Sequence, residues 1–343
     1  MLRIDVRMVE RPGAVVLPMP RIGPSKAARC QPPGPNREDR LRTLLISGLA
    51  LAFIGSTAAV AADKVQVGDK GVFPESLTST ADGTLIVGSI GTGQIFKAAP
   101  GAATADAWIA PVTDGPTAVL GVYADEANGT LWACYSDLAL FAGAGGKASV
   151  LRSYDLATGA LKTSVPLGEG TFCNDIATTA DGTAYAADTA GGQVLKVAPG
   201  APTAETFFKD AALASLDGLS FGPDGALYLN GVSTNKLFRL SMADGKPGTL
   251  TELKLSQEVK GPDGMRFGDD GVLYLAENGN GQVDAITFDG DTANIKVVGK
   301  EGWDSPTAVT KVGSTLWVIE AQFSKMQTPD QATAFYAYPV ALQ

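Results

Sequence analysis

Oxygen-bearing side chains recur at a fixed distance before a repeated glycine turn. The turn glycines are Gly83, Gly129, Gly182, Gly225, Gly271 and Gly313. The residues eight positions before them are Glu75, Gly121, Asn174, Asp217, Asp263 and Ser305. Four of these six carry a carboxylate or amide oxygen. If the six positions are structurally equivalent, the oxygens converge, and three carboxylates at close range repel one another unless a cation lies between them.

The chemistry of this set favours a hard divalent cation. Carboxylate and amide oxygens suit Ca²⁺, Mg²⁺ or Mn²⁺, and we take one Ca²⁺ as the first expectation. Zn²⁺ is a weaker alternative because the set contains neither thiolate nor imidazole. Asp217 and Asp263 each precede a glycine, so ordinary turns are the alternative interpretation of those two residues.

The sequence contains no histidine. Ser-His-Asp and Cys-His catalysis are therefore excluded, and so is any mechanism that uses a histidine base. If the protein is an enzyme, the remaining choices of base are a carboxylate and a metal-bound hydroxide.

The elements that would position these residues repeat with the same period. The turn glycines lie 46, 53, 43, 46 and 42 residues apart, and strand-like runs such as Val272-Leu-Tyr-Leu follow them. Asn128-Gly129 and several Asp-Gly pairs are typical of hairpin turns. Units of about 40 to 50 residues with about four strands are propeller blades, so the sequence predicts an all-β, six-bladed β-propeller. The first strand of each blade lines the central channel, which makes the six marked positions one ring.

The ends of the repeat region indicate how the ring closes. Lys64-Val-Gln-Val precedes the first repeat, and Ala334-Phe-Tyr-Ala-Tyr-Pro-Val follows the last. We predict that the first of these segments is the outer strand of the last blade. The propeller is then a single domain, residues 62–343.

The first part of the chain does not fit a propeller. Residues 1–39 are rich in Pro and Arg without an apolar period, and we interpret them as disordered or as an over-called gene start. Residues 40–61 follow the order of a signal peptide: arginines, an apolar run, then Ala59-Val-Ala61. We expect cleavage near Ala61, a periplasmic or secreted protein, and no stable membrane insertion afterwards. A membrane anchor is the alternative, because the apolar run is just long enough to span a bilayer.

Charge and cysteine content limit the partners. The net charge is −9 at pH 7 and the pI about 4.7. Nucleic-acid binding needs a basic patch, so we predict no nucleic-acid partner and expect a small-molecule substrate. No protein partner can be named. Cys134 and Cys173 remain after the leader, either as a disulfide or as two buried thiols, and the sequence leaves both alternatives open.

An ordered set of short motifs resembles the regucalcin/gluconolactonase family, also called the senescence-marker-protein family. These motifs are Glu75, Asn174-Asp, Asp217-Gly-Leu and Pro262-Asp-Gly-Met, and the resemblance covers about residues 70–342. The resemblance implies a six-bladed propeller with one divalent cation in the channel. It also implies an enzyme that hydrolyses sugar lactones or related small esters. It assigns Glu75, Asn174, Asp217 and Asp263 as metal ligands, and Asp263 also as the general base or as the residue that orients the attacking water.

The sequence departs from the sugar lactonases of this family at two positions. Asp217 stands where those enzymes carry Asn, and Phe172 stands where they carry an Arg that contacts the substrate. A more apolar ligand is therefore an alternative to a sugar. The ends of the second strands should also lie near the ring, which adds candidate rim residues. The full set of predicted rim residues is Phe172, Tyr135, Asp188, Asn230, Glu277 and Glu320.

Two functions remain as hypotheses. The first is a metal-dependent hydrolase of a lactone or related small ester outside the cytoplasm. The alternative is a non-catalytic, metal-stabilised propeller that binds a small ligand or a protein partner, since a fold does not fix a function. The ring of oxygen ligands favours the hydrolase.

Overall fold

The computed structural model describes residues 64–141 and 143–342. The predicted disordered segment, the predicted signal peptide and Cys30 lie outside the described residues. Six sheets follow one another along the chain, and together they form a six-bladed propeller. The all-β, six-bladed prediction is thus confirmed.

Each of the first three blades is a four-stranded antiparallel sheet that runs outward from the channel. An N-terminal strand, β1 (Val65–Gly68), precedes them. Their strands are β2 (Pro74–Ser79), β3 (Leu85–Ser89), β4 (Ile95–Ala98) and β5 (Asp106–Ile109); β6 (Ala118–Asp125), β7 (Thr130–Ser136), β8 (Val150–Asp155) and β9 (Leu161–Pro166); and β10 (Cys173–Thr178), β11 (Ala184–Asp188), β12 (Gln193–Val197) and β13 (Glu205–Lys209).

Blades four to six repeat the pattern, with one added strand. In blade five the short strand β18 pairs in parallel with the outermost long strand. The strands are β14 (Leu216–Phe221), β15 (Leu227–Gly231), β16 (Lys236–Ala243) and β17 (Lys246–Glu252); β18 (Lys254–Leu255), β19 (Pro262–Phe267), β20 (Leu273–Glu277), β21 (Gln282–Asp289) and β22 (Thr292–Gly299); and β23 (Pro306–Val312), β24 (Thr315–Glu320) and β25 (Phe335–Ala341).

In the described part of the chain, helical structure is confined to short segments between strands. The helix α1 (Leu138–Phe141) follows β7. Five single turns of 3₁₀-helix are Glu126–Asn128, Ala211–Leu213, Asn278–Asn280, Phe323–Lys325 and Pro329–Gln331. Within the described ranges, no helix is long and apolar enough to cross a membrane.

The ring closes as the sequence predicts. β1 pairs antiparallel with β25, with Val65 opposite Ala337, so the N-terminal strand is the outermost strand of blade six. The beginning and the end of the described chain therefore share one sheet.

Burial follows the distance from the channel. Every residue of β11 is buried, whereas no residue of β13 is. The core lies between adjacent blades, where apolar side chains from neighbouring sheets pack together. Polar side chains on the innermost strands are therefore held in a mostly apolar interior, which raises the free-energy cost of leaving them unpaired.

A disulfide joins Cys134 on β7 to Cys173 on β10, and so links blades two and three. The Cα atoms are 5.4 Å apart and both side chains are fully buried. Two unpaired thiols, the other alternative, are thus ruled out. Ser136 Oγ donates to the Cys173 carbonyl at 2.8 Å, which is a second link between the same strands.

Loss of the disulfide should destabilise the protein. A cross-link across 39 residues lowers the entropy of the unfolded chain enough to stabilise the fold by about 4 kcal/mol. The double substitution Cys134→Ala/Cys173→Ala should therefore lower the free energy of unfolding by about that amount, measured by urea denaturation. Reductant should destabilise the wild type similarly and leave the double variant unchanged. Equal stability of oxidised wild type and double variant would refute a stabilising bond.

Candidate metal centre in the channel

The four predicted ligands come together at one end of the channel. Glu75, Asn174, Asp217 and Asp263 line a cavity of about 10 Å³, which is room for one water-sized particle. Each is the second residue of its innermost strand. They are buried, with exposures of 8%, 6%, 5% and 5%. The local fold thus delivers four polar side chains to a site that almost excludes solvent.

The contacts within this set leave one fully buried oxygen without a partner. Asn174 Nδ2 donates to Asp217 Oδ2 at 2.8 Å. Asp263 accepts from the backbone N–H of Gly264 at 2.9 Å and from Asn278 Nδ2 at 3.2 Å. Asp217 Oδ1 is buried and accepts no hydrogen bond. Such an oxygen carries the full cost of desolvation unless a proton or a cation reaches it.

The electrostatics of the site are those of crowded carboxylates. Burial raises the pKa of Glu75 well above its ordinary value, and Asp217 and Asp175 raise it further, whereas Arg266 lowers it. Burial and the neighbouring charge of Asp263 raise the pKa of Asp217. Burial and the charge of Glu75 raise the pKa of Asp263. A positive charge among the three would stabilise their ionised forms.

The residues fit a divalent cation in their chemistry, although they are not arranged as a ready set of ligands. Among residues 64–141 and 143–342, no three His, Cys, Asp or Glu side chains form a cluster that could hold a metal as they stand. In addition, Asn174 presents its amide nitrogen, and not its oxygen, to Asp217. The unpartnered Asp217 Oδ1, the mutual repulsion and the small cavity all fit one small cation.

Counting eight residues back from the turn glycine assigns the wrong ring residue in two blades. In blade six a two-residue hairpin joins Val312 to Thr315, shorter than the loop that joins Phe267 to Leu273 in blade five. Thr307, the second residue of β23, therefore takes the ring position instead of Ser305.

In blade two the connection contains the 3₁₀ turn Glu126–Asn128. Gly121 packs on the Asn174 carbonyl as Gly218 packs on the Asp263 carbonyl, and a Cβ at these glycines would lie 2.4 and 2.5 Å from those oxygens. Gly218 directly follows its ring residue, so the ring residue of blade two is Leu120 and not Gly121.

Four of the predicted rim residues bind main-chain groups of their own blades. They accept hydrogen bonds from backbone N–H groups at the start of their own blades. The bonds run from Phe172 N to Asp188 (2.9 Å), from Gly218 N to Asn230 (3.1 Å), from Lys260 N to Glu277 (2.7 Å) and from Asp304 N to Glu320 (2.8 Å). These side chains hold each blade's first strand in place, because backbone N–H groups inside the protein need acceptors. Asn230 also donates to the Asp263 carbonyl at 2.6 Å.

The two aromatic rim residues lie in the core. Tyr135 is fully buried, and its hydroxyl shares a hydrogen bond with that of Tyr154 at 2.7 Å. Side chains alternate between the two faces of a strand, so Leu131, Ala133 and Tyr135 lie on the same face and pack in the hydrophobic cluster between blades one and two. Phe172 is 3% exposed and belongs to the largest hydrophobic cluster. Neither side chain is exposed, and contact of either with a substrate stays a prediction.

Glu277 belongs to a buried acidic pair in blade five, outside the set of residues that line the ring cavity. Burial, with the hydrogen bond and charge of Glu277, raises the pKa of Asp284 from 3.8 to about 8. Gln282 Nε2 donates to both carboxylates, at 2.8 Å to Glu277 and 3.2 Å to Asp284. Asp284 Oδ2 is buried without a partner, as expected for two carboxyl groups that need a proton between them.

The substitution Asp284→Asn should therefore stabilise the protein at alkaline pH. The pKa of Asp284 is raised in the folded state. Its contribution to stability is therefore fully present below about pH 4 and is lost as pH rises through about 8. We expect the melting temperature of the variant to exceed that of the wild type by several degrees at pH 9 and to match it near pH 4. Asp289→Asn, at the exposed end of the same strand, is the control. An equal difference at both pH values would contradict the shared proton.

Sequence reasoning missed a charged pair next to the ring. Asp175 directly follows Asn174 on β10, and Arg266 follows Asp263 by three residues on β19. The Arg266 guanidinium donates to both Asp175 oxygens, at 2.7 and 2.5 Å. The available signal was an arginine between Met265 and Phe267 in a strand predicted to line the channel.

Comparison with known proteins agrees with this architecture. The family described as the SMP-30/Gluconolactonase/LRE-like region matches residues 73–322. No curated protein matches the sequence significantly.

Solved structures of the same shape include three with named activities or ligands. Regucalcin from Agrobacterium tumefaciens, described as a calcium-binding protein, is 20% identical with a TM-score of 0.55, covering 81% of this chain and 96% of that one. A luciferin-regenerating enzyme is 12% identical with a TM-score of 0.59, covering 80% and 93%. Virginiamycin B lyase from Staphylococcus aureus is 17% identical with a TM-score of 0.55, covering 74% and 80%. At these identities the likeness shows the fold alone.

Proposed function

The chain belongs to the SMP-30/gluconolactonase/LRE-like family, and from this premise we propose that it is a metal-dependent hydrolase of a lactone or related small ester. The observation that carries the proposal is the buried, unpartnered Asp217 Oδ1 among three carboxyl groups that raise one another's pKa. A site of this kind is costly without a cation, and sites with strongly shifted pKa values tend to be functional.

Glu75, Asn174, Asp217 and Asp263 would hold one divalent cation, with Ca²⁺ as the first expectation from the all-oxygen set. The bound cation would supply Lewis acidity that polarises the ester carbonyl. The structurally similar regucalcin, which is described as a calcium-binding protein, supports a cation of this type. Absence of histidine makes a carboxylate the natural base.

Asp263 is the residue that we place at the proton transfer. It would accept a proton from the attacking water as the water oxygen bonds to the carbonyl carbon. It would return that proton to the ring oxygen as the ring C–O bond breaks, which gives a hydroxy acid. Gly264 N–H and Asn278 hold the carboxylate by hydrogen bonds, and Asn230 holds its backbone carbonyl. Asp263 is therefore fixed in orientation on both its side chain and its main chain.

The extracytoplasmic location is part of the proposal and rests on the composition of residues 40–61. The disulfide supports it, because such bonds persist in oxidising compartments.

A non-catalytic propeller is the second candidate function. The observation in its favour is the small size of the ring cavity, about 10 Å³, around side chains that are 5% to 8% exposed. In this arrangement the channel end has room for an ion but not for a lactone. The cation would then stabilise the fold around a ligand or partner that binds elsewhere.

Activity on lactones separates the two candidates. Metal-stripped protein and protein reconstituted with Ca²⁺, Mg²⁺, Mn²⁺ or Zn²⁺ should be assayed on a panel of γ- and δ-lactones with sugar or alkyl substituents. The hydrolase predicts turnover that depends on the added metal. Metal binding without turnover on any member of the panel would favour the non-catalytic propeller, and no metal binding would reject both.

A further inference from the structure

One buried ion pair crosses the channel next to the ring. Arg266 on β19 of blade five donates from Nη1 to Asp175 Oδ2 at 2.7 Å and from Nη2 to Asp175 Oδ1 at 2.5 Å. The side chains are 13% and 6% exposed. The geometry is bidentate, so it fixes orientation as well as distance. It connects blades three and five, which are not adjacent, over 91 residues of sequence.

The same pair also holds the strand between those blades. Asp175 Oδ2 accepts from Leu219 N at 3.1 Å, and Arg266 Nη1 donates to the Leu219 carbonyl at 3.2 Å. Leu219 lies on β14 of blade four. Thus the carboxylate binds the backbone N–H of Leu219 and the guanidinium binds its carbonyl.

Each strand in this network carries one proposed metal ligand close to the contact. Asn174 directly precedes Asp175, Asp217 lies two residues before Leu219, and Asp263 lies three residues before Arg266. Rigid contacts this near in sequence transmit position directly to the ligands.

Arg266 also contributes to two cavities. Arg266 lines both the ring cavity and a second cavity of about 400 Å³, to which Thr78, Tyr123 and Lys311 also contribute. Its carbon Cζ lies 5.4 Å from the centre of the Tyr123 ring. Arg266 is therefore part of the wall of both cavities.

We propose that Arg266, acting through Asp175 and Leu219, is the positioning residue that sets the spacing of Asn174, Asp217 and Asp263 for the cation. This inference rests on the proposed metal-dependent function. It requires the planar fork of arginine, because a lysine supplies the charge without two parallel hydrogen bonds.

The test is the substitution Arg266→Lys, which keeps the positive charge and removes the fork. We expect the Kd for Ca²⁺, measured by isothermal titration calorimetry on folded protein, to rise about 10- to 100-fold, as is usual when residues behind metal ligands are changed. The matched control is Arg239→Lys. Arg239 also binds an aspartate of the neighbouring blade, Asp291 at 2.5 Å, but on the outer, exposed part of the sheets. Its substitution should leave the Kd unchanged.

A purely structural role would lower the melting temperature of Arg266→Lys and leave the Kd as in the wild type, and that result would overturn the proposal while the proposed function stands. If the wild type binds no cation, the proposed function fails and this inference fails with it.

Should Arg266→Lys not fold, Asp175→Asn takes its place, because asparagine keeps the size of the side chain and an oxygen for Leu219 N–H. The same rise in Kd is expected there, and unchanged affinity would overturn the proposal.

Discussion

The substitution Asp263→Asn is expected to lower kcat/KM for lactone hydrolysis at least about 100-fold, the usual lower range for loss of a general base. Asparagine keeps the size of the side chain and an oxygen for the Gly264 N–H, which donates to Asp263 at 2.9 Å. It cannot take the proton of the attacking water. The measurement should be made at saturating metal, so that weaker metal binding does not account for the loss.

The control for this experiment is Asp82→Asn. Asp82 is exposed in a hairpin of blade one, where it accepts from Thr80 Oγ1 at 2.6 Å and from Thr84 N at 2.9 Å. An asparagine oxygen can accept both bonds, so activity and stability should stay close to those of the wild type. If Asp263→Asn retained full activity like this control, Asp263 would not be the base.

Removal of metal should lower the melting temperature by about 5 to 10 °C. A ligand that binds only the folded state stabilises it by RT ln(1 + [L]/Kd), about 2.7 kcal/mol at one hundred times Kd. In a protein of this size each kcal/mol shifts the melting temperature by about 2 to 4 °C. The reason for dependence on the metal is the set of three buried carboxyl groups, which raise one another's pKa when no cation lies among them. Calorimetry with and without chelator measures the shift, and added Ca²⁺ should reverse it.

A ring variant provides the control for the melting experiment. Asp217→Asn removes one of the three crowded negative charges, the one on the carboxylate with the unpartnered oxygen. The variant should therefore bind metal more weakly, and chelator should shift its melting temperature less. A wild-type melt that chelator leaves unchanged would mean that the ring holds no stabilising cation.

The period of the glycine turns was sufficient to predict the fold. A turn glycine and a β-rich run in each repeat indicate the blades, and Lys64-Val-Gln-Val before the first blade indicates the closure that β1 and β25 form. The positions of Glu75, Asn174, Asp217 and Asp263 followed because their four blades share one connection length. Where the connection differs, the count failed, and Leu120 and Thr307 were missed.

The role of a polar residue at a strand end was harder to predict. Glu277 and Asp188 have the composition of ligand-binding residues, yet they accept backbone hydrogen bonds within their own blades. A sequence shows that such a residue is polar, but its partner depends on how the preceding loop returns to the sheet. The pair of Asp175 and Arg266 was missed for the same reason, since its members lie 91 residues apart and meet only across the closed ring.

Ring closure has a consequence for how the chain acquires its structure during synthesis. Blade six takes three strands from the C-terminal end and its fourth, β1, from the N-terminal end, with Gln66 opposite Tyr336. The first strand of the propeller to leave the ribosome must wait for the last one before it finds its partner. Loop-closure entropy opposes so distant a contact and makes it a late event. Until then blades one to five present two open flanks, and the metal ligands, spread over blades one to five, lack the completed circle that would hold Glu75 against Asp263.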